Sequence, residues 1–266
     1  MYTFSKEHKD FLKKLKHEKL IVNFFRILII SIFLVLWELL AKFSIINTFM
    51  YSSPSRILHT ICTLFQSGSL LHHINITVFE VCISFLFATV IGTVTASILW
   101  ANERISKIVD PYITIINSLP KVALGPLIII WVGASIRSII FMALTISVFT
   151  TIINIYNGFQ NVNSNYIIML KSFHASKFQI YRKVILPSNI ENIIATLKIN
   201  ISLSLIGVIM GELLVSKKGL GYLIMYGSQV FNLDLVISSI VILAILSYVM
   251  YLIVDRFEKY IIKRRS

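Results

Sequence analysis

Residues 168–214 read IMLKSFHASKFQIYRKVILPSNIENIIATLKINISLSLIGVIMGELL. As far as Pro187 the stretch is polar and basic, with apolar residues spaced at Phe173, Phe178, Ile180, Tyr181 and Val184. That spacing predicts a short helix that shows an aromatic face while lying on a membrane surface. Leu186-Pro187 is expected to end it, because proline cannot continue the preceding backbone bonding but readily opens a new helix. From about residue 189 to 213 the chain turns into an apolar run. Crossing a hydrocarbon core of roughly 30 Å takes about 20 such residues, so this run predicts a membrane-spanning helix.

Outward from that stretch, five more runs have spanning length, at 21–43, 75–100, 107–132, 137–158 and 233–255. Pro120 and Pro126 predict a bend or break in the third of the six. The expected class is an all-α integral membrane protein with about six transmembrane helices. Composition agrees: 56% of the 266 residues are hydrophobic and 14% charged, with a mean hydropathy of +0.82. A soluble domain carries about 25% charged residues and needs that polar skin.

Lys and Arg give the orientation. One set of segments holds Lys6, Lys9, Lys13, Lys14, Lys16, Lys19 and Arg26, then Arg104 and Lys107, then Lys171, Lys177, Arg182 and Lys183, then Arg256, Lys259, Lys263, Arg264 and Arg265. The other holds Lys42, Arg56, Lys121, Arg137, Lys217 and Lys218. Six spans put the first set in the cytoplasm together with both termini. Residues 1–20 then form a basic cytoplasmic segment, either a solvated tail or an amphipathic helix on the inner leaflet. Residues 21–266 form the membrane domain, whose inside loop at 159–188 is too long to be a mere connector.

Other classes fit less well. The first apolar run continues to about Leu40, longer than the roughly 7–15 residues of a signal-peptide core, so a retained helix is expected. The net charge of +13 sits in loops between apolar runs rather than in a basic stripe interleaved with aromatics, which argues against nucleic acid. Cys62, expected in a loop, and Cys82 lack metal or disulfide spacing. The His72-His73 pair has no carboxylate or thiol beside it to make a metal site. A membrane-embedded enzyme would need convergent acid, base or metal groups, and a secondary carrier typically shows inverted repeats; the sequence displays neither.

The inside loop resembles the EAA loop of ABC importer permeases, most closely the branch of nitrate, sulfonate and taurine permeases. The likeness rests on Leu170-Lys171-Ser172-Phe173-His174-Ala175-Ser176-Lys177-Phe178 and on Tyr181-Arg182-Lys183-Val184-Ile185-Leu186-Pro187. Further matches are Asp110-Pro111, Leu119-Pro120-Lys121-Val122-Ala123-Leu124-Gly125-Pro126-Leu127 and Trp131-Val132-Gly133. Gly211-Glu212-Leu213-Leu214 and Gly219-Leu220-Gly221-Tyr222-Leu223-Ile224 follow in register. Three such motifs in order over roughly residues 75–260 are specific. The chain departs from the pattern at Ile168, the place of the leading glutamate, at His174, the place of the loop glycine, and at Glu80, where relatives often carry arginine. A glycine permits a tight turn or a close approach, so His174 is expected to adopt another conformation or to make a bulkier contact.

The resemblance implies a type I (MetI-like) permease fold whose inside loop docks in a groove of a separate ATPase subunit. ATP and magnesium would be bound there, because this chain has no G-x-x-x-x-G-K-[ST] loop to cradle phosphates. It also implies an extracytoplasmic solute-binding protein, a second permease copy and a bacterial plasma membrane. This chain would then be a transport subunit and no enzyme, moving a nitrate-, sulfonate- or taurine-type anion or, alternatively, a thiamine- or riboflavin-precursor-like heterocycle.

Charges inside spans are costly and usually paired or functional. Glu38 and Lys42 are spaced as a helical pair. Glu80 and Lys198 are expected at depths of roughly 8 and 13 Å from opposite faces, about 9 Å apart vertically, which argues against a direct pair. Lys198 either faces the pathway, where it would attract an anion, or snorkels to inner phosphates. Ser202, Ser204, Gly207, Gly211 and Glu212 suit close packing or a pathway lining. Asn117, Ser118 and Pro120 are candidates because broken helices free backbone groups for solutes.

Overall fold

A computed structural model describes the backbone of residues 6–263 and the side chains of residues 14–261. The side chains of Lys6, Lys9, Lys13 and Lys263, and all of Arg264 and Arg265, lie outside the described residues. Every regular element among the described residues is helical: α1 (Lys6–Lys42), α2 (Thr48–Tyr51), α3 (Pro54–Gln66), α4 (Ser69–Ala101), α5 (Glu103–Ser118), a 3-10 turn (Lys121–Leu124), α6 (Gly125–Val132) and α7 (Ile136–Gln160). There follow α8 (Ser164–Ser172), α9 (Lys177–Ile180), a π turn (Tyr181–Ile185), α10 (Leu186–Ser188), α11 (Ile190–Val215), α12 (Leu220–Gln229) and α13 (Leu233–Lys263). Helices suit this composition because a bilayer offers no water to unpaired backbone groups.

Five of these helices, α1, α4, α7, α11 and α13, are long and apolar enough to cross a membrane; α5 and the stretch Lys121–Val132, bent by 86° at their break, make a sixth when the pair is counted as one span. The expected six runs are thus present, one of them broken. The ends of the helices are set by local chemistry. Asn102 accepts the Arg104 and Ile105 amides at the start of α5, at 3.0 and 3.2 Å, and Asn163 accepts that of Asn165 before α8 at 2.9 Å. Such caps satisfy amides that have no partner inside the helix.

α7 lies at the centre, packed on α4 and α11. Gly207 and Gly211 of α11 face it one turn apart. A methyl group on Gly207 would run into the Ala143 backbone, and one on Gly211 would lie 2.9 Å from the Ile139 Cα. Two small residues at this spacing let helix backbones approach closely, which is how helices gain contact energy in lipid. The glycines therefore serve packing, the first of the two roles open to them.

Several expectations change. α1 is one unbroken helix, about 55 Å long at 1.5 Å per residue, so the described part of the basic segment is continuous with the first span. Residues 54–66 are helical and include Cys62, and Arg56 ties this helix to Asp234 of α13 at 2.6 Å. Glu38 forms no ion pair with Lys42 among those described; its carboxylate accepts the Ser55 amide at 3.0 Å. Nor does the Leu186-Pro187 step end a helix. Residues 177–188 form one continuous helical segment, and the interruption falls at Asn189 (φ −104°, ψ 5°).

Candidate functional site

The inside loop is fastened on one face and bare on the other. Ser176 opens α9 with a capping box: its side chain accepts the Gln179 amide, and Gln179 reaches back to the Ser176 amide at 2.7 Å. Ile180 and Ile185 are buried in a cluster with Leu99, Ile155 and Phe159. Tyr181 turns inward too, between Trp100 and Phe159, with its hydroxyl 2.7 Å from Ser97 Oγ. Lys177 donates to the Ala101 carbonyl at 3.4 Å. The expected aromatic face is therefore divided. Phe173 and Phe178 remain 76% and 69% exposed on the Lys/Arg-rich side, with Lys171, Ser172 and Arg182 exposed beside them and Ala175, Leu186 and Pro187 half-buried.

The π turn has a cause. Pro187 lacks an N–H, and in a regular α-helix its ring would strike the carbonyl four residues back. Widening the turn by one residue, so that the Leu186 amide bonds to the Tyr181 carbonyl, lets the helix pass the proline. His174, at the glycine position, keeps the left-handed conformation that a glycine would take (φ 58°), and its amide bonds to the Lys171 carbonyl at 2.9 Å. The expected change of conformation does not occur. Three residues of the turn already bond back into the end of α8, and they hold the non-glycine residue in a conformation that costs about 1–2 kcal/mol.

The second site is the break in the third span. Leu119 is extended (ψ 146°), as a residue before proline prefers, and α6 leaves at 86° to α5. Asn117, half-buried at the end of α5, accepts from Lys121 Nζ at 2.7 Å and from Thr150 Oγ1 of α7 at 3.2 Å. Lys121 also donates to the Ile146 carbonyl at 3.3 Å and stands 5.9 Å from the centre of the Phe149 ring. Ser118 is exposed and bonds back to Thr114 at 3.0 Å. Of the predicted pathway residues, Asn117, Ser118 and Pro120 gather here. Lys121 was expected with the outer charges. Its position between two prolines of an apolar run is the signal that could have placed it at the break.

The other pathway candidates are engaged elsewhere. Lys198 binds Asp255 at 2.8 Å and also Glu258, both on α13, so it offers no unpaired charge to an anion. Ser202 bonds back to the Lys198 carbonyl at 3.3 Å, and Ser204 is buried between helices without a partner.

The architecture recurs in known transporters. A methionine ABC transporter, MetNI, in an inward-facing conformation shares it at a TM-score of 0.65 and 20% identity, over 73% of this chain and 97% of that one. In sequence, an ABC transporter permease of Haemophilus influenzae is 27% identical over 86% of this chain and 93% of its own. The aliphatic sulfonates transport permease SsuC of Bacillus subtilis is 24% identical over 90% and 87%. The formylaminopyrimidine transport permease ThiX of Halalkalibacterium halodurans is 26% identical over 88% and 92%. The family model for the binding-protein-dependent transport system inner membrane component matches residues 88–266. The chain belongs to that family. It is an ABC importer permease with the MetI-like fold and no catalytic activity of its own, and its relatives named for taurine and nitrate transport place it in the sulfonate, taurine and nitrate branch.

In this permease Glu212 is a structural clasp. It is buried, accepts from Thr77 Oγ1 and from the Gly221 amide at 2.6 Å each, and Thr77 in turn accepts the Leu220 amide at 2.9 Å. Gly219, at φ 99°, has no room for a side chain against the Glu212 carboxylate. α4, α11 and α12 are thereby locked together, and Glu212 faces no open surface. Glu80 is buried beside it, and neither of its oxygens meets a donor in hydrogen-bonding geometry.

Proposed function

We propose that this permease works in a bacterial plasma membrane as the pathway subunit through which a small anion of the sulfonate, taurine or nitrate type enters the cell. An extracytoplasmic binding protein delivers the solute, a second copy of the chain completes the pathway, and a separate ATPase subunit binds ATP and magnesium. The observation that carries this reading is the loop at 164–188. Its inner face is nailed to the bundle by Ile180 and Ile185, while Phe173 and Phe178 stay bare on the basic side. A rigidly mounted apolar pair of this kind suits a groove in a partner, and force applied to it passes into α4 and α7 through the buried cluster. The relative named for formylaminopyrimidine transport favours a second reading, an uncharged heterocycle as the solute.

Co-purification from membranes with the organism's ABC ATPases tests the coupling. Retention of an ATPase by the native chain and its loss when 171–187 is scrambled is the expected result. Equal retention by both forms, or by neither, removes the coupling role from this loop.

A further inference from the structure

We propose that Lys121 and Asn117 form a mid-membrane subsite for the negative group of the transported solute, an inference that rests on the permease reading. The position comes from α7. Ile146 and Thr150, which the two residues contact, lie 10 and 14 residues from the outer end of this helix, or roughly 15 and 21 Å along a helix of about 37 Å. From that depth a lysine stem does not reach either membrane face, so snorkelling does not account for the charge.

The hydrogen bonds show what the charge leaves unused. A lysine ammonium carries three donors and no acceptor. One goes to Asn117 Oδ1 and one to the Ile146 carbonyl; among the described residues no carboxylate pairs with it, and the third finds no acceptor. Because the ammonium can only donate, the atom it meets must be the amide oxygen of Asn117. That oxygen also takes the Thr150 hydroxyl, which fixes the Asn117 NH2 group facing away with no partner of its own. A positive charge and a set of oriented, unused donors thus stand together where the helix is broken and both side chains are only half-buried. The matching ligand is a sulfonate, nitrate or carboxylate oxygen, which accepts several short charge-assisted bonds. Lys198, the other intramembrane lysine, already holds two carboxylates.

The test uses the complete transporter, this chain with its own ATPase and binding protein, in proteoliposomes. Uptake of labelled ethanesulfonate, taurine, nitrate and the uncharged formylaminopyrimidine is measured beside ATP hydrolysis stimulated by the binding protein. Lys121→Gln keeps a donor for Asn117 and discards the charge; it is expected to cut uptake of the transported anion at least tenfold while stimulated hydrolysis persists. Lys121→Arg should restore most of the uptake. Asn117→Asp, which places a carboxylate against Lys121, should be as damaging as Lys121→Gln. Wild-type uptake by Lys121→Gln overturns the subsite and leaves the permease reading standing, as does transport of formylaminopyrimidine alone by the native complex. Joint loss of uptake and stimulated hydrolysis in both the Gln and Arg variants assigns Lys121 a structural role and also overturns it. A native complex that moves none of the four probes and whose ATPase ignores the binding protein removes the permease reading and the subsite together.

Discussion

The chain contains two Leu-Pro steps inside helical sequence, and they end oppositely. At Leu119-Pro120 the helix stops, Leu119 becomes extended, and the chain departs at 86°. At Leu186-Pro187 the helix continues: Leu186 stays helical (φ −62°, ψ −49°), and the ring is accommodated by one widened turn. The dipeptide cannot be the cause of the difference. The neighbours are. Before Pro187 the chain is held down on both sides of the turn by the buried Ile180 and Ile185 and the partly buried Tyr181, so bending away would expose them. Around Pro120 Asn117 and Lys121 bond to each other and to α7, and those bonds hold the broken geometry. A proline restricts the local menu, and tertiary contact chooses from it.

Four changes sharpen or break this contrast. The largest effect is expected at the inner step, whose exposed face is the one proposed to meet the ATPase. Phe178→Asp should reduce ATPase retention in pull-downs at least about tenfold, a loss of about 1.4 kcal/mol or more, with the thermal midpoint unchanged because Phe178 is not packed. At the outer step Pro120→Ala should leave the break in place, since the side-chain bonds around it remain. Hydrogen exchange of amides 119–124 is the measurement, and protection rising to that of α5 would mean that the proline alone makes the break. Ser176→Ala removes the cap of α9 and should destabilise it by about 1 kcal/mol, read as roughly fivefold faster exchange of the Ile180 and Tyr181 amides, which bond back to Ser176 and Lys177, if opening is local. The smallest effect is expected from His174→Gly. Relief of the left-handed strain, about 1–2 kcal/mol, is partly cancelled by the roughly 0.5–1 kcal/mol that glycine loses in chain entropy, so the mid-range net of about 0.7 kcal/mol should slow exchange of the Phe173–Ala175 amides roughly threefold.

The two intramembrane lysines give the second lesson. In sequence each is one cation in an apolar run, and Lys198 looked the better candidate because its expected depth had no matching acid. Asp255 and Glu258 lie 57 and 60 residues away and reach it only because α13 packs along α11. Lys121 was counted among outer charges because the prolines on either side of it announce a break but not the depth at which the chain turns. The inside loop was legible to a finer grain. Its length, basic charge and aromatic spacing are local features, whereas the expected end at Leu186-Pro187 was misplaced and which aromatics face inward depended on the position of Trp100 and Phe159.

By itself the sequence determined that the chain is a helical membrane protein, where its six apolar runs lie, which side carries the Lys/Arg excess and which motifs tie it to ABC importer permeases. These properties follow from hydropathy, charge and short spacings, which act over a few residues or one bilayer thickness. Only the tertiary structure decided that Glu212 is a buried clasp, that Lys198 is neutralised, that Lys121 meets no carboxylate among the described residues at the break, and that one Leu-Pro step bends while the other does not. Each of those outcomes depends on which groups from distant helices meet. In a medium without water, the presence or absence of one partner decides whether a polar side chain is structural or free to bind.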